Sequence, residues 1–174
     1  MNILTFDTET TIIEHGHPFH KDNRMVCLGY KWLNKETEVL DFNDSIAELF
    51  NKLFAKADLV VGMNLKFDLH WMRRIGCNLR NIKNVWDIQL AYFYLSAQAA
   101  ISPSLNEISE AYGMGQKVDV IKLEYWDKGI CTSEISKDVL HKYTKQDIIL
   151  TEKNFIHQYE LFSGKKLTIK NEVI

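Results

Sequence analysis

With 174 residues, 46% of them hydrophobic, 25% charged and 2 prolines, the chain has the material for one compact core and too little length for two ordinary domains, so we expect a single domain over residues 1–174. The near balance of 21 Lys and Arg against 23 Asp and Glu, a net charge of −2, excludes a protein that holds nucleic acid by bulk attraction to phosphate, although bound divalent ions could still recruit it. No apolar run is long enough to span a bilayer.

In chain order, Asn2 to Phe6 reads as a first strand that ends in Asp7-Thr8-Glu9, where period-two alternation sends both carboxylates to one side. Two carboxylates forced together want a cation. Glu14 to Asn23 reads as a loop. Met25 to Leu33 and Glu36 to Phe42 follow as strands around a turn at Asn34-Lys35, and Asp44 to Ala57 carries helical spacing at Ile46, Leu49, Phe50, Leu53 and Phe54, with Asn43 or Asp44 as its cap. Asp58 to Gly62 is a continuously apolar strand of the kind buried on both faces, and the next helix starts near Leu65 and stops at Gly76, a left-handed cap. Asn84-Val85-Trp86 reads as a short strand. Helices are expected from Ile88 to Leu95, from Leu105 to Tyr112 after Ser104, and from Ser133 or Ser136 to Phe162. Residues 114–132 carry no readable pattern, and the tail after Gly164 is expected to be loosely held. A three-stranded meander followed by alternating helices and strands predicts an α/β fold, a mixed central sheet with helices on both faces.

Two further carboxylates stand apart from the surface pattern. Leu140, Tyr143, Asp147 and Leu150 share one helical face that should be buried, and no Lys or Arg lies on that face. An ionised group buried without a partner costs several kcal/mol or titrates to neutrality, so a cation, a basic side chain or several donors are expected at Asp147. Asp68 falls in the first turn of its helix, where the helix dipole alone would welcome it.

Phe6-Asp7-Thr8-Glu9-Thr10, Asn64-Leu65-Lys66-Phe67-Asp68 and Tyr143-Thr144-Lys145-Gln146-Asp147 resemble, in order, the three motifs of the DEDD 3′ to 5′ exonucleases. The second segment is especially similar to the proofreading domain of family A DNA polymerases. Tyr143 precedes Asp147 by four positions, as in the tyrosine subclass; position 142 is Lys, and His141 is one residue out of register for the histidine subclass.

The resemblance implies an RNase H-like exonuclease fold and two divalent ions, and four carboxylates without cysteine suit Mg²⁺ or Mn²⁺. By the same resemblance Asp7 would bridge both ions, Glu9 and Asp147 would complete the site of the ion that holds the attacking water, and Asp68 would support the second. Ions about 3.5–4 Å apart can stabilise the entering and departing oxygens of an in-line displacement. Tyr143, whose phenol has an ordinary pKa near 10, would orient the water rather than abstract its proton as a phenolate. Asn64 would touch the substrate's sugar or phosphate, with backbone amides near Thr8 and Thr10 and an apolar stop for the terminal base at Ile12 or Ile13.

These roles imply an exodeoxyribonuclease that releases nucleoside monophosphates from single-stranded or frayed DNA 3′ ends, working alone or with a DNA polymerase in trans. The alternatives are an exoribonuclease similar to RNase D and a non-catalytic domain that docks nucleic acid or a polymerase. Cys27, Cys77 and Cys131 lack paired spacing, and the N-terminus lacks an export pattern, which points to the cytoplasm. His15, His17 and His20 fit no standard metal spacing, Asp87 reads as a helix cap, and Trp71, Trp86, Tyr92, Phe93 and Tyr94 read as core.

Overall fold

A computed structural model describes residues 1–99, 101–117 and 119–167. Five strands, β1 (Ile3–Thr10), β2 (Met25–Trp32), β3 (Glu38–Asp41), β4 (Leu59–Gly62) and β5 (Val85–Asp87), form one mixed sheet in the order β3-β2-β1-β4-β5. The first three run antiparallel as the expected meander, while β4 and β5 lie parallel to β1 and to each other. Among the described residues six α-helices accompany them: α1 (Ile46–Lys56), α2 (Leu65–Arg74), α3 (Ile88–Leu95), α4 (Leu105–Ala111), α5 (Val120–Glu124) and the long α6 (Lys137–Ser163).

Alternation along β1 divides the core between the two faces. Leu4 and Phe6 pack with Phe50 and Phe54 of α1 and Trp71 of α2. Ile3 packs on the other face with Ile88 of α3, Leu105 of α4, and Leu150 and Phe155 of α6. At about 25 cal/mol per Å² of apolar surface removed from water, each such fully buried large side chain stabilises the fold by roughly 1.5–3 kcal/mol.

One close approach sets the height of α6 over the sheet. Gly29 on β2 is the partner of Asp7, and a Cβ placed there would run into Ile148 Cδ1 of α6 and lie 3.1 Å from Thr144 Cγ2. With only a hydrogen at this position, Ile148 and Thr144 of α6 pack directly on the β2 backbone beside Asp7.

β1 is longer than the sequence pattern suggests: it continues past Phe6 to Thr10, because Thr8 pairs with Leu28 and Glu9 with Cys27 in the ladder with β2. Helix α1 begins at Ile46, with Asn43 accepting the Ser45 N–H at 2.9 Å. Asp87 does cap α3, and it does more: its carboxylate accepts from Gln89 N at 2.9 Å and Leu90 N at 3.4 Å, and also from Asn64 N at 3.2 Å and Leu65 N at 2.8 Å at the start of α2. Ser104 and Glu107 form a reciprocal capping box on α4. Tyr94 corrects the expectation of core packing, being 68% exposed, whereas Trp71 is buried and donates to Gly16 O at 3.1 Å. Of the tail after Gly164, residues 168–174 lie outside the described residues.

Candidate active site

β1 delivers Asp7 and Glu9 to the face covered by α6, and α6 delivers Asp147 to the same point, so that one carboxylate oxygen from each lies within 4.8 Å of the others. Glu9 is buried, and Asp7 and Asp147 are partly exposed. Asp68 reaches in from α2 and is 2% exposed. Its Oδ1 accepts from Thr8 N at 3.1 Å and from Thr8 Oγ1 at 2.6 Å, which fixes it on the residue between Asp7 and Glu9.

Crowding and burial oppose ionisation throughout this group. Asp7 is raised well above the carboxylate range by desolvation and then by the charges of Asp68, Glu9 and Asp147. Desolvation, followed by the charge of Asp147, pushes Glu9 up to about 8. Burial carries Asp68 to about 7 against the pull of its Thr8 hydrogen bonds, and Asp147 to about 6 against the pull of Lys117. Burial also raises the Tyr143 phenol, with the charge of Asp147 next, so this hydroxyl stays protonated and acts as a neutral donor. Asp7, Glu9 and Asp147 held together at such cost, with Asp68 near enough to raise Asp7, fit a hard divalent cation, whose charge would oppose the upward shifts of these carboxylates.

Two groups at the site carried no signal in the sequence. Lys117, from outside the helical face, supplies the basic side chain that was one of the partners expected at Asp147: its ammonium hydrogen-bonds both oxygens of Asp147, the one to Oδ2 at 2.5 Å, and lies 3.7 Å over the Tyr143 ring. It enters from a segment without periodicity, which is why no helical-face argument could find it. Thr144, one turn from Leu140, gives its one hydroxyl proton to Leu140 O at 2.9 Å, and its oxygen lies 3.4 Å from Glu9 Oε1.

A cleft of about 640 Å³ opens beside Glu9, the one carboxylate of the group that lines it, and is walled also by Thr8, Thr10, Ile12, Phe67 and Trp126, among others. Thr8 and Thr10 stand in this wall, though Thr8 has committed both its donors to Asp68. Of the two isoleucines considered as a stop for the base, Ile12 lines the cleft; Ile13 is 42% exposed and is not among its lining residues. Asn64 is exposed at the left-handed start of α2, with φ +51°, gives its N–H to Asp87 and does not line the cleft. His141 pairs with Asp41 at 2.9 Å. His17 and His20 use their Nδ1 atoms to accept from the loop amides of Phe19 and Asp22, both at 3.3 Å.

No protein-family model and no curated protein matches the chain. Solved structures do. A nuclease in its apo form matches with TM-score 0.71 at 11% identity, covering 93% of this chain and 74% of its own. Brucella melitensis NrnC bound to pGG matches with TM-score 0.64 at 15% identity, with the same two coverages of 93% and 74%. The family B DNA polymerase of the hyperthermophilic archaeon Pyrobaculum calidifontis matches with TM-score 0.64 at 18% identity, and there the chain covers 25% of the polymerase's length. The fold is that of the RNase H-like nucleases. Its mixed five-stranded sheet and converging acidic residues are therefore set on a scaffold that nucleases use. Among the described residues no helix is long and apolar enough to cross a membrane.

Proposed function

We propose that the chain is a metal-dependent 3′ to 5′ exonuclease of the tyrosine subclass that removes nucleoside monophosphates from single-stranded or frayed DNA ends. One observation carries this reading: Asp7, Glu9 and Asp147 meet within 4.8 Å at the edge of a cleft large enough for a nucleotide, with Asp68 behind them and Tyr143 one turn along α6. Asp7, Glu9, Asp68 and Asp147 would hold two divalent ions, Mg²⁺ or Mn²⁺, which when bound supply charge stabilisation to the scissile phosphate.

The protein's own groups do the positioning. Thr8 locks Asp68 through two hydrogen bonds to one oxygen, and Thr144 stands 3.4 Å from Glu9 Oε1. Tyr143 keeps its proton and offers a hydroxyl that orients the attacking water. Thr8, Thr10 and Ile12 form one wall of the cleft and Phe67 and Trp126 supply aromatic surface, contacts that recognise a strand end by shape and stacking and tolerate any base. Asn64 at the head of α2 would meet sugar or phosphate farther along the strand, and Ile12, rather than Ile13, would flank its terminal base. Partnership with a polymerase in trans fits the likeness to the exonuclease-bearing polymerase chain, of which this protein spans 25%.

Digestion of a 5′-labelled DNA oligonucleotide with Mg²⁺ or Mn²⁺, beside EDTA, Asp7→Ala and RNA lanes, tests the reading. A metal-dependent ladder shortening from the 3′ end and absent in Asp7→Ala is expected. Preference for the RNA strand would move the assignment to an exoribonuclease similar to RNase D. A pGG lane belongs in the same gel because a neighbour of this fold binds that molecule. Binding of all strands without cleavage would leave a docking domain.

A further inference from the structure

Lys117 is the one feature of the site that the proposed chemistry does not use. Its Nζ contacts both oxygens of Asp147, so the ammonium lies against the edge of the carboxylate that an ion shared with Asp7 and Glu9 would need. A divalent ion and an ammonium on the same carboxylate repel strongly at this distance in a partly desolvated site. The two occupants are therefore alternatives.

The surroundings give the ammonium a fixed base and a place to go. Asn106 on α4 pins the Lys117 backbone from both sides, accepting its N–H at 3.2 Å and donating to its carbonyl at 3.0 Å. Only the flexible four-carbon stem remains to move. A second pocket of about 430 Å³ is lined by Lys117 and Tyr143 themselves, with Gln116, Lys142 and Gln146 as its other polar side chains and Val120, Ile121 and Val139 as its apolar ones. Swinging into it, Nζ would leave both Asp147 and the face of the Tyr143 ring, over which it now lies at 3.7 Å.

We propose that Lys117 is an exchangeable internal counter-ion: it neutralises Asp147 in the ion-free protein and is displaced from it, by a side-chain swing about a fixed backbone, when a divalent ion binds. The inference rests on the carboxylates being an ion site, and it concerns ion loading rather than cleavage. It makes Lys117 a determinant of the ion concentration at which the protein becomes active.

Mn²⁺ titration by calorimetry of the full chain, wild type against Lys117→Met, reads the competition directly. Removing the competing charge while keeping the apolar stem should tighten Mn²⁺ binding by about tenfold or more. Lys117→Gln, which retains a donor for Asp147, serves the same comparison where the Met variant fails to fold. Wild-type protein alone gives a second readout. Acylation of lysines by an amine-reactive ester, read by peptide mass spectrometry, should find Lys117 protected without Mn²⁺ and modified several-fold faster with it, normalised to the exposed Lys52. Equal or weaker Mn²⁺ binding in the variants, or unchanged protection of Lys117 on saturation, overturns the exchange. If DNA cleavage still requires the metal in that case, the nuclease reading stands without it. Tighter binding in Lys117→Met without cleavage of any strand supports the exchange and removes the nuclease.

Discussion

Raising the pH of the metal-free protein should unfold it more easily, and the carboxylate cluster sets the window. Glu9 is raised from 4.5 to about 8, Asp68 from 3.8 to about 7 and Asp147 from 3.8 to about 6. Each folded-state value lies above the unfolded one, so each contribution to stability is fully present below pH 4 and is lost as the pH climbs through the folded value. The loss therefore runs from about pH 4 to about pH 9, steepest between about 5 and 6, where all three groups are still protonated in the folded chain and already ionised in the unfolded one. One pKa unit corresponds to about 1.4 kcal/mol, so the Glu9 shift alone has an upper bound of about 5 kcal/mol. The carboxylates form one patch of charge, so their contributions overlap; we set the total near 3–5 kcal/mol, about 6–20 °C in Tm for a chain of this size. Melting curves by circular dichroism in EDTA at pH 5, 6, 7, 8 and 9 would show the decline, and saturating Mn²⁺ should flatten it. A Tm in EDTA that holds level or rises from pH 5 to pH 9 would refute the account of these groups as unwilling anions.

Three substitutions probe other links. Tyr143→Phe should lower turnover by about 10²-fold while leaving the Mn²⁺ affinity measured by calorimetry unchanged, and full turnover would take the hydroxyl out of the reaction. Asp87→Ala removes one carboxylate from the N-termini of both α2 and α3, at about 1 kcal/mol per helix end, so a chemical denaturation midpoint shift worth about 2 kcal/mol is expected. A shift of the size seen for an exposed Asp→Ala elsewhere would show that the double cap adds nothing. Gly29→Ala should cost about 1–3 kcal/mol by overpacking against Ile148 and, by lifting Asp147 away from Asp7, should weaken Mn²⁺ binding as well. Loss of stability with intact metal affinity would mean that α6 does not set the geometry of the site.

Where the local pattern was strong, sequence and structure coincide: α3 spans Ile88–Leu95 as expected, and β4 is apolar on both faces because helices cover both. The first strand was read too short because Asp7-Thr8-Glu9-Thr10 is polar, and polar residues signal a strand end unless a partner strand and an approaching helix are known. The acidic residues were legible through their face and their order. Lys117 was not, since it comes from a segment ordered by Asn106, a tertiary contact that leaves no periodic trace. The same holds for Thr144: its role follows from the height of α6 above β1, which depends on a glycine in a third element.

β1 interleaves two vocabularies, Leu4 and Phe6 facing α1 and α2 while Asp7 and Glu9 turn toward α6. Since the acids contribute strain and the apolar residues contribute cohesion, exchanging either acid for a neutral residue should leave the shape intact or firmer. Descendants of such a chain can thus forfeit chemistry in a single mutational step and survive as folded shells free to acquire another occupation. The reverse journey is harder, because a shell that has relaxed its acids is under no pressure to keep α6 close.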